Sequence, residues 1–469
     1  MRNFTRKAGA LALAGLVAGC ASLEPPLPAT DSGVPARWSA IPADVVWEAE
    51  LPARAAADIG WRDFFRDPDL QTLIARALAN NRDLRVAILN IEKARAQYRI
   101  QRSEQVPWVG GNVTLERIGG DTPARSSYSA GVGVAGFELD LFGRLRNLSD
   151  AALQQYSAQE AARRAVQLAL IAEVANVYLT LAADQDLFGL SQATLKNYQD
   201  SYALVEKRFS LGAVSGLDVE QIRTQVESAR ADVARYEGRI ALDANALGLL
   251  VGAPVKASLL PQGLSGGAAA LVAPPAGLPS ETLLRRPDVQ AAEHRLRAAN
   301  ANIGAARAAY FPSISLTGSM GSASGDLSRL FGGGTWLWSF IPQLSVPIFQ
   351  GERLRAKVEG AVADRDIALA EYEKSIQTSF REVADALASA VALAKQYEAQ
   401  KALVDAATRA EHLSRLRYQA GRDSYLGLLD AQRTLYAAQQ NLLATRFSRQ
   451  INRVTLYKVL GGGWKEQGR

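Results

Sequence analysis

The chain repeats itself at a nearly constant spacing, and no other feature of its 469 residues constrains the fold as tightly. Asn81-Arg82-Asp83-Leu84 is echoed by Arg286-Pro287-Asp288-Val289, and Asp83 stands as far before Pro107 as Asp288 stands before Pro312. Further on, Arg208-Phe209-Ser210-Leu211-Gly212 answers to Arg417-Tyr418-Gln419-Ala420-Gly421, Ser215 to Ser424, and Val251-Gly252 to Leu460-Gly461. An ordered series of this kind marks one supersecondary unit used twice. Each half reads as a helix, two strands, a very long helix, a break and a further helix. No proline lies between Pro123 and Pro254 or after Pro347, and proline costs roughly 3 kcal/mol inside a helix. Arg144 to Arg208 and Glu352 to Arg417 are rich in Ala, Leu, Glu, Gln and Arg. As helices each would run about 100 Å at 1.5 Å per residue. Such lengths point to a coiled-coil assembly, with alanines letting helix axes approach.

Between the helices the period changes to two. Ile314, Leu316 and Met320 alternate with Ser313, Ser315, Thr317 and Ser319. From Trp336 the even positions are Trp336, Trp338, Phe340, Pro342, Leu344, Val346 and Ile348, against Ser339, Gln343 and Ser345. Alternation gives a sheet with one apolar and one polar face. In the first half Tyr128, Ala130, Val132 and Val134 alternate with Ser127, Ser129, Gly131 and Gly133. Phe137, Leu139 and Leu141 then take the other parity, which predicts a bulge or a departure from the bilayer. The strands have about the 9–11 residues needed to cross a bilayer when tilted. Trp336 and Trp338 fall near one end, where membrane-interface aromatics gather. Gly318 to Gly334 reads as an exposed hairpin loop, and Pro107, Pro312 and Pro347 mark the helix–strand crossings. Four strands cannot close a barrel, because the smallest membrane barrels have about 8. Open edges cannot sit in lipid, so several copies must share one wall.

Composition sets the compartment and excludes other classes. Arg2, Arg6 and Lys7 precede a short apolar stretch from Ala8 to Val17 and the sequence Val17-Ala18-Gly19-Cys20. This is an export signal over 1–19, too short to span. The only cysteine, Cys20, excludes an internal disulfide. Its setting resembles the bacterial lipobox, whose thiol is acylated, and Ala21 in place of Asp favours the outer membrane. One acylated terminus holds weakly unless something else also inserts. Removing three leader charges from the 53 basic residues leaves 50 against 47 acidic ones, a net +3 in place of +6. With no basic block, nucleic acid is not an expected partner. Beyond the leader the sequence shows no apolar run long enough for a spanning helix. Convergent nucleophiles, acids or metal ligands are missing too. The only histidines, His294 and His412, each fall in a helical stretch, and Gly461-Gly462-Gly463 ends a helix. The chain is therefore not expected to be an enzyme, and no cofactor or metal is expected.

Taken together these features resemble the TolC family of outer-membrane factors, in its lipidated drug-efflux (OprM/NodT-like) branch. The sharpest signature is Arg417-Tyr418-Gln419-Ala420-Gly421-Arg422-Asp423-Ser424-Tyr425-Leu426-Gly427-Leu428-Leu429-Asp430-Ala431-Gln432-Arg433, supported by Leu456-Tyr457-Lys458-Val459-Leu460-Gly461-Gly462-Gly463-Trp464. The resemblance implies a mainly α fold with a membrane β-barrel portion. Its homotrimer would place a 12-stranded barrel on a 12-helix periplasmic tunnel. The partners implied are a periplasmic adaptor, an inner-membrane transporter and outer-membrane lipid. The parts would be a signal peptide (1–19), a lipidated segment (20–60), a first repeat (61–253, strands about 109–141), a linker (254–279), a second repeat (280–461, strands about 313–349) and a tail (462–469). The function implied is a passive exit channel for drugs and other small molecules, with an iris-like gate at the periplasmic tip. That tip falls in Arg208 to Asp218 and Arg417 to Asp430. Leu426 matches an apolar ring, Asp430 a ring of carboxylates, and Asp218 an acidic residue that bonds a tip tyrosine, here Tyr418. Gly427 departs from relatives with a second acidic ring, which implies weaker cation selectivity.

Overall fold

A computed structural model describes residues 23–31, 33–35, 58–121, 123–264, 280–464 and 466. Short helices α1 (Trp61–Phe64) and α2 (Pro68–Asn80) lead into α3 (Arg82–Ser103), β1 (Gly110–Ile118), β2 (Arg125–Leu139), α4 (Arg144–Ser210) and α5 (Gly216–Val251). The second half gives α6 (Pro287–Ala308), β3 (Ser313–Ser324), β4 (Trp336–Ser345), α7 (Arg353–Gln419) and α8 (Tyr425–Val459). The duplication is carried into matched lengths. Helices α3 and α6 have 22 residues each, and α4 and α7 have 67 each.

The same backbone devices end the matched helices. After α4, Gly212 takes φ +75° and the Ala213 amide reaches the Arg208 carbonyl at 2.9 Å. After α7, Gly421 takes φ +66° and the Arg422 amide reaches Arg417 at 2.9 Å. A left-handed glycine with a six-to-one amide bond closes a helix without leaving its last carbonyls bare. The joint between each half's first and last helix also recurs, with different chemistry. Asn81 Nδ2 donates to the Leu250 carbonyl at 3.0 Å, and Arg286 Nη1 donates to the Val459 carbonyl at 2.8 Å. The buried Arg286 also holds Asp288 and Glu382, at 2.7 and 2.8 Å. Burial alone would push the Asp288 carboxyl up, but the Arg286 guanidinium outweighs it and holds Asp288 below its ordinary value.

Two compact units divide the chain. One contains the sheet within residues 89–161 and 290–375, and the other spans residues 33–88, 162–289 and 376–469. In the second, Trp61, Phe64, Phe65, Leu70 and Leu73 pack on Ile171, Val174, Tyr178 and Tyr457. Phe64 and Tyr457 stack with centroids 3.8 Å apart. Both tyrosine hydroxyls are satisfied: Tyr178 Oη donates to Asp67 at 3.0 Å and Tyr457 Oη to the Ile59 carbonyl at 2.6 Å. This core corrects one expectation. Helix α4 does hold an 18-residue window of mean hydropathy 1.6, enough by composition for a span. Its apolar residues around Leu170 to Ala183 are buried in this core.

In the other unit the sheet runs β1-β2-β3-β4, antiparallel throughout. A one-residue register shift falls between Val134 and Phe137 of β2, where the parity of the sequence flips. Gly136 has φ +64° there, and its amide donates to Thr317 Oγ1 at 3.1 Å. The reading of Gly318 to Gly334 as loop needs correction, because β3 continues to Ser324. Its small residues are needed for closeness between strands. A Cβ on Gly321 would collide with the Ala130 carbonyl oxygen, and one on Gly133 would lie 2.6 Å from that of Gly318.

Candidate membrane wall and gate

The strand register assembles the two faces foreseen from alternation. Val132 lies opposite Met320, and Met320 opposite Trp338, while Val134, Leu316 and Phe340 share that face. The other face presents Thr114, Ser127, Ser129, Ser315, Thr317 and Ser319, with Ser319 and Ser339 hydroxyls 2.8 Å apart. Leu337 and Ile341 interrupt its polarity. Trp336 and Trp338, 67% and 66% exposed, stand where β4 leaves the β3–β4 turn. At the opposite ends of the strands, sequence reasoning passed over a second aromatic set. Trp108 before β1, Tyr310 and Phe311 before β3, and Phe349 after β4 are also exposed. Their signal was adjacency to Pro107, Pro312 and Pro347.

Cys20 lies outside the described residues. The segment three residues beyond it is firmly held. Asn300 Nδ2 on α6 donates to Glu24 Oε1 and to the Pro25 carbonyl, both at 2.8 Å. Arg307 Nη1 donates to the Leu23 carbonyl at 3.3 Å, and the Asp31 amide reaches Glu373 on α7 at 3.2 Å.

The candidate gate residues flank the turns between α4 and α5 and between α7 and α8: Asp218 in the first turn of α5, Tyr418 near the end of α7, and Leu426 and Asp430 at the start of α8. Tyr418, Tyr425, Leu428 and Leu429 are buried against Tyr198, Val205, Ile222 and Val226. Tyr418 and Tyr425 meet edge to face at 5.5 Å, and the Arg208 guanidinium lies 4.9 Å from the Tyr418 ring centre. Burial, then Tyr418, Tyr198 and Asp218 nearby, push the Tyr425 hydroxyl well above its ordinary value. Leu426 and Asp430, four residues apart on α8, face away from this cluster; Leu426 is 56% exposed and Asp430 is exposed.

The expected Asp218–Tyr418 bond is not made. Asp218 Oδ2 instead accepts from the Ser215 amide at 3.0 Å and from Ser215 Oγ at 2.8 Å, in a capping box at the start of α5. The buried Tyr418 hydroxyl has no hydrogen-bond partner among the described residues. A carboxylate three residues into a helix is best placed to satisfy that helix's own first amides, and this local claim wins over the distant tyrosine. Ser191, Asp232 and Tyr436, which the sequence did not single out, make polar bonds between α8 and the α4–α5 pair. Nothing in their spacing marks them, because they come from three helices.

Comparison with known proteins agrees with this architecture. The family model described as outer membrane efflux protein matches residues 73–253 and 278–462, one block in each half. The antibiotic efflux pump outer membrane protein ArpC of Pseudomonas putida is 47% identical over 472 residues, covering 99% of this chain and 97% of the relative. The probable outer membrane lipoprotein SilC of Salmonella typhimurium is 40% identical over 455 residues, covering 96% and 97%. The open-state crystal structure of the Neisseria gonorrhoeae MtrE outer membrane channel superposes with TM-score 0.86 at 38% identity, covering 96% of this chain and all of that one. With both of its halves matched and its relatives aligned over nearly their full length, the chain belongs to the outer membrane efflux protein family.

Proposed function

We propose that this chain is the outer-membrane exit duct of a three-part efflux system. It receives small organic molecules from an inner-membrane transporter through a periplasmic adaptor and conducts them passively to the exterior. The observation that carries this reading is a four-stranded sheet with an apolar and a polar face, built into the same chain as two 67-residue helices. Among the described residues β1 and β4 each pair on one side only. Three copies would supply twelve strands to one barrel, its polar face inward and Trp336 and Trp338 at a membrane interface. Cargo of the drug and solvent class is supported by relatives named for antibiotic and toluene efflux. Acylation of Cys20 after loss of 1–19 is supported by the lipoprotein relative.

Leu426 and Asp430 form the gate in this proposal. Leucines brought together on a pore axis make a constriction that closes by dewetting, and carboxylates one turn away draw cations and repel anions. Exposure of both side chains on one stripe of α8 supports the assignment. Full-length protein in planar bilayers tests it. Leu426→Ser should raise single-channel conductance, and Asp430→Asn should move the reversal potential toward lower cation preference. A protein that forms no channel would reject the duct; channels unchanged by both substitutions would reject the gate alone.

A further inference from the structure

We infer that Tyr436 is a second closing contact, a clamp on α8 set about 16 Å along the helix from Tyr425 at 1.5 Å per residue. It rests on the proposed gate, since a tip that opens must move the α7–α8 pair against the α4–α5 pair. Contacts between the pairs at the tip are mostly apolar. Tyr425, Leu428 and Leu429 meet Tyr198, Ile222 and Val226. Apolar contact is non-directional, so such surfaces can slide while staying buried.

Tyr436 is different in kind. Its Oη donates to Asp232 Oδ2 on α5 at 2.9 Å and lies 3.0 Å from Ser191 Oγ on α4. Ser191 is fully buried and the Asp232 side chain is only 18% exposed. One hydroxyl from α8 thus engages both helices of the other pair through bonds that fail on a small displacement. Asp232 is prepared for this partner. Its other oxygen, Oδ1, already takes Arg235 Nη2 at 2.8 Å, and Arg235 in turn reaches Tyr236 Oη at 3.2 Å. Moving α8 away would leave one carboxylate oxygen bare in a mostly buried place, which is costly. Further along α4 and α5, Arg239 lies 3.7 Å from Asp184, which shares a pocket with Asp243. That pocket's lining from α8 is Leu443, Ala444 and Phe447, none of them titratable. The polar link across the pairs therefore falls at Tyr436 and not at these carboxyls.

The duplication makes the clamp one-sided. The positions equivalent to Tyr436, Asp232 and Ser191 in the other half are Glu227, Asn441 and Gln400, by the spacing that matches Ser215 to Ser424. Glu227 pairs instead with the exposed Arg230 at 2.7 Å. The α7–α8 pair is therefore fastened to the α4–α5 pair of its own chain by a contact that has no twin. Tyr436 acts as a positioning residue for the closed state.

Tyr436→Phe and Asp232→Ala in the full-length protein test this, with Asp232→Asn, which keeps an oxygen acceptor, as the conservative control. Amide exchange over residues 430–445 reads the contact, and planar-bilayer conductance reads its consequence. Tyr436→Phe and Asp232→Ala should speed exchange and shift the open-to-closed ratio about fivefold per copy, the factor for one hydrogen bond. Asp232→Asn should remain near the unaltered protein. Unchanged exchange in Tyr436→Phe overturns the clamp. Faster exchange with unchanged conductance overturns its part in closure, and Leu426→Ser measured alongside tells whether the gate reading fails with it.

Discussion

Ser215 and Ser424 hold equivalent places before α5 and α8, yet only the first has an acidic residue three positions on. Asp218 completes a capping box, whereas Gly427 leaves Ser424 without a side-chain cap bond. Losing a cap of this kind costs about 1 kcal/mol. Asp218→Ala should therefore loosen the first turn of α5 by about that amount, seen as faster amide exchange over residues 216–222. Tyr418→Phe should behave oppositely. Its hydroxyl is buried without a partner among the described residues, and removing such a group is neutral or slightly stabilising. Exchange at the tip should stay the same or slow. A Tyr418→Phe protein with a loosened tip would show that the hydroxyl does find a bond that holds it.

At the scale of strands, closeness is what the glycines provide. Gly131 lies opposite Gly321, and Gly133 opposite Ser319. A Cβ at Gly131 would sit 2.7 Å from the Met320 carbonyl oxygen. Gly321→Val should therefore disrupt the β2–β3 pairing while leaving the helices formed. Outer-membrane yield should fall several-fold with the far-ultraviolet helical signal of the purified chain retained; full insertion would refute the steric account. These glycines also show where the sequence could be read and where it could not. Helix lengths and ends were legible because proline, glycine and serine act on their immediate neighbours, and the β2 bulge was legible because parity flips between Val134 and Phe137. The stretch from Gly318 reads as loop because small residues serve turns and crowded strands alike. The partner of Asp218 is not legible in the sequence, since the choice between Ser215 and Tyr418 depends on the rotamers of two packed hairpins. Tyr436 was invisible for the same reason: its partners lie 245 and 204 residues away.

For the molecule as a whole, the strand count decides how many copies are needed. The described residues of one chain supply four strands in a single sheet, and backbone groups at an open edge cannot be left in lipid. Two copies would reach eight strands, the smallest closed membrane barrel. An eight-stranded barrel is just wide enough to be filled by its own side chains, so a dimer could seal a membrane but could not conduct molecules of drug size. The residues proposed to face inward are mostly small, Ser129, Gly131, Gly133, Thr317 and Ser319 among them, which suits a wall that borders an open lumen more than a packed interior. Twelve strands from the three copies proposed above satisfy both demands. Native mass spectrometry of protein released from membranes in mild detergent should accordingly give three chains per particle. A conducting particle of two chains would contradict the argument from lumen width, and a conducting single chain would contradict the argument from open edges.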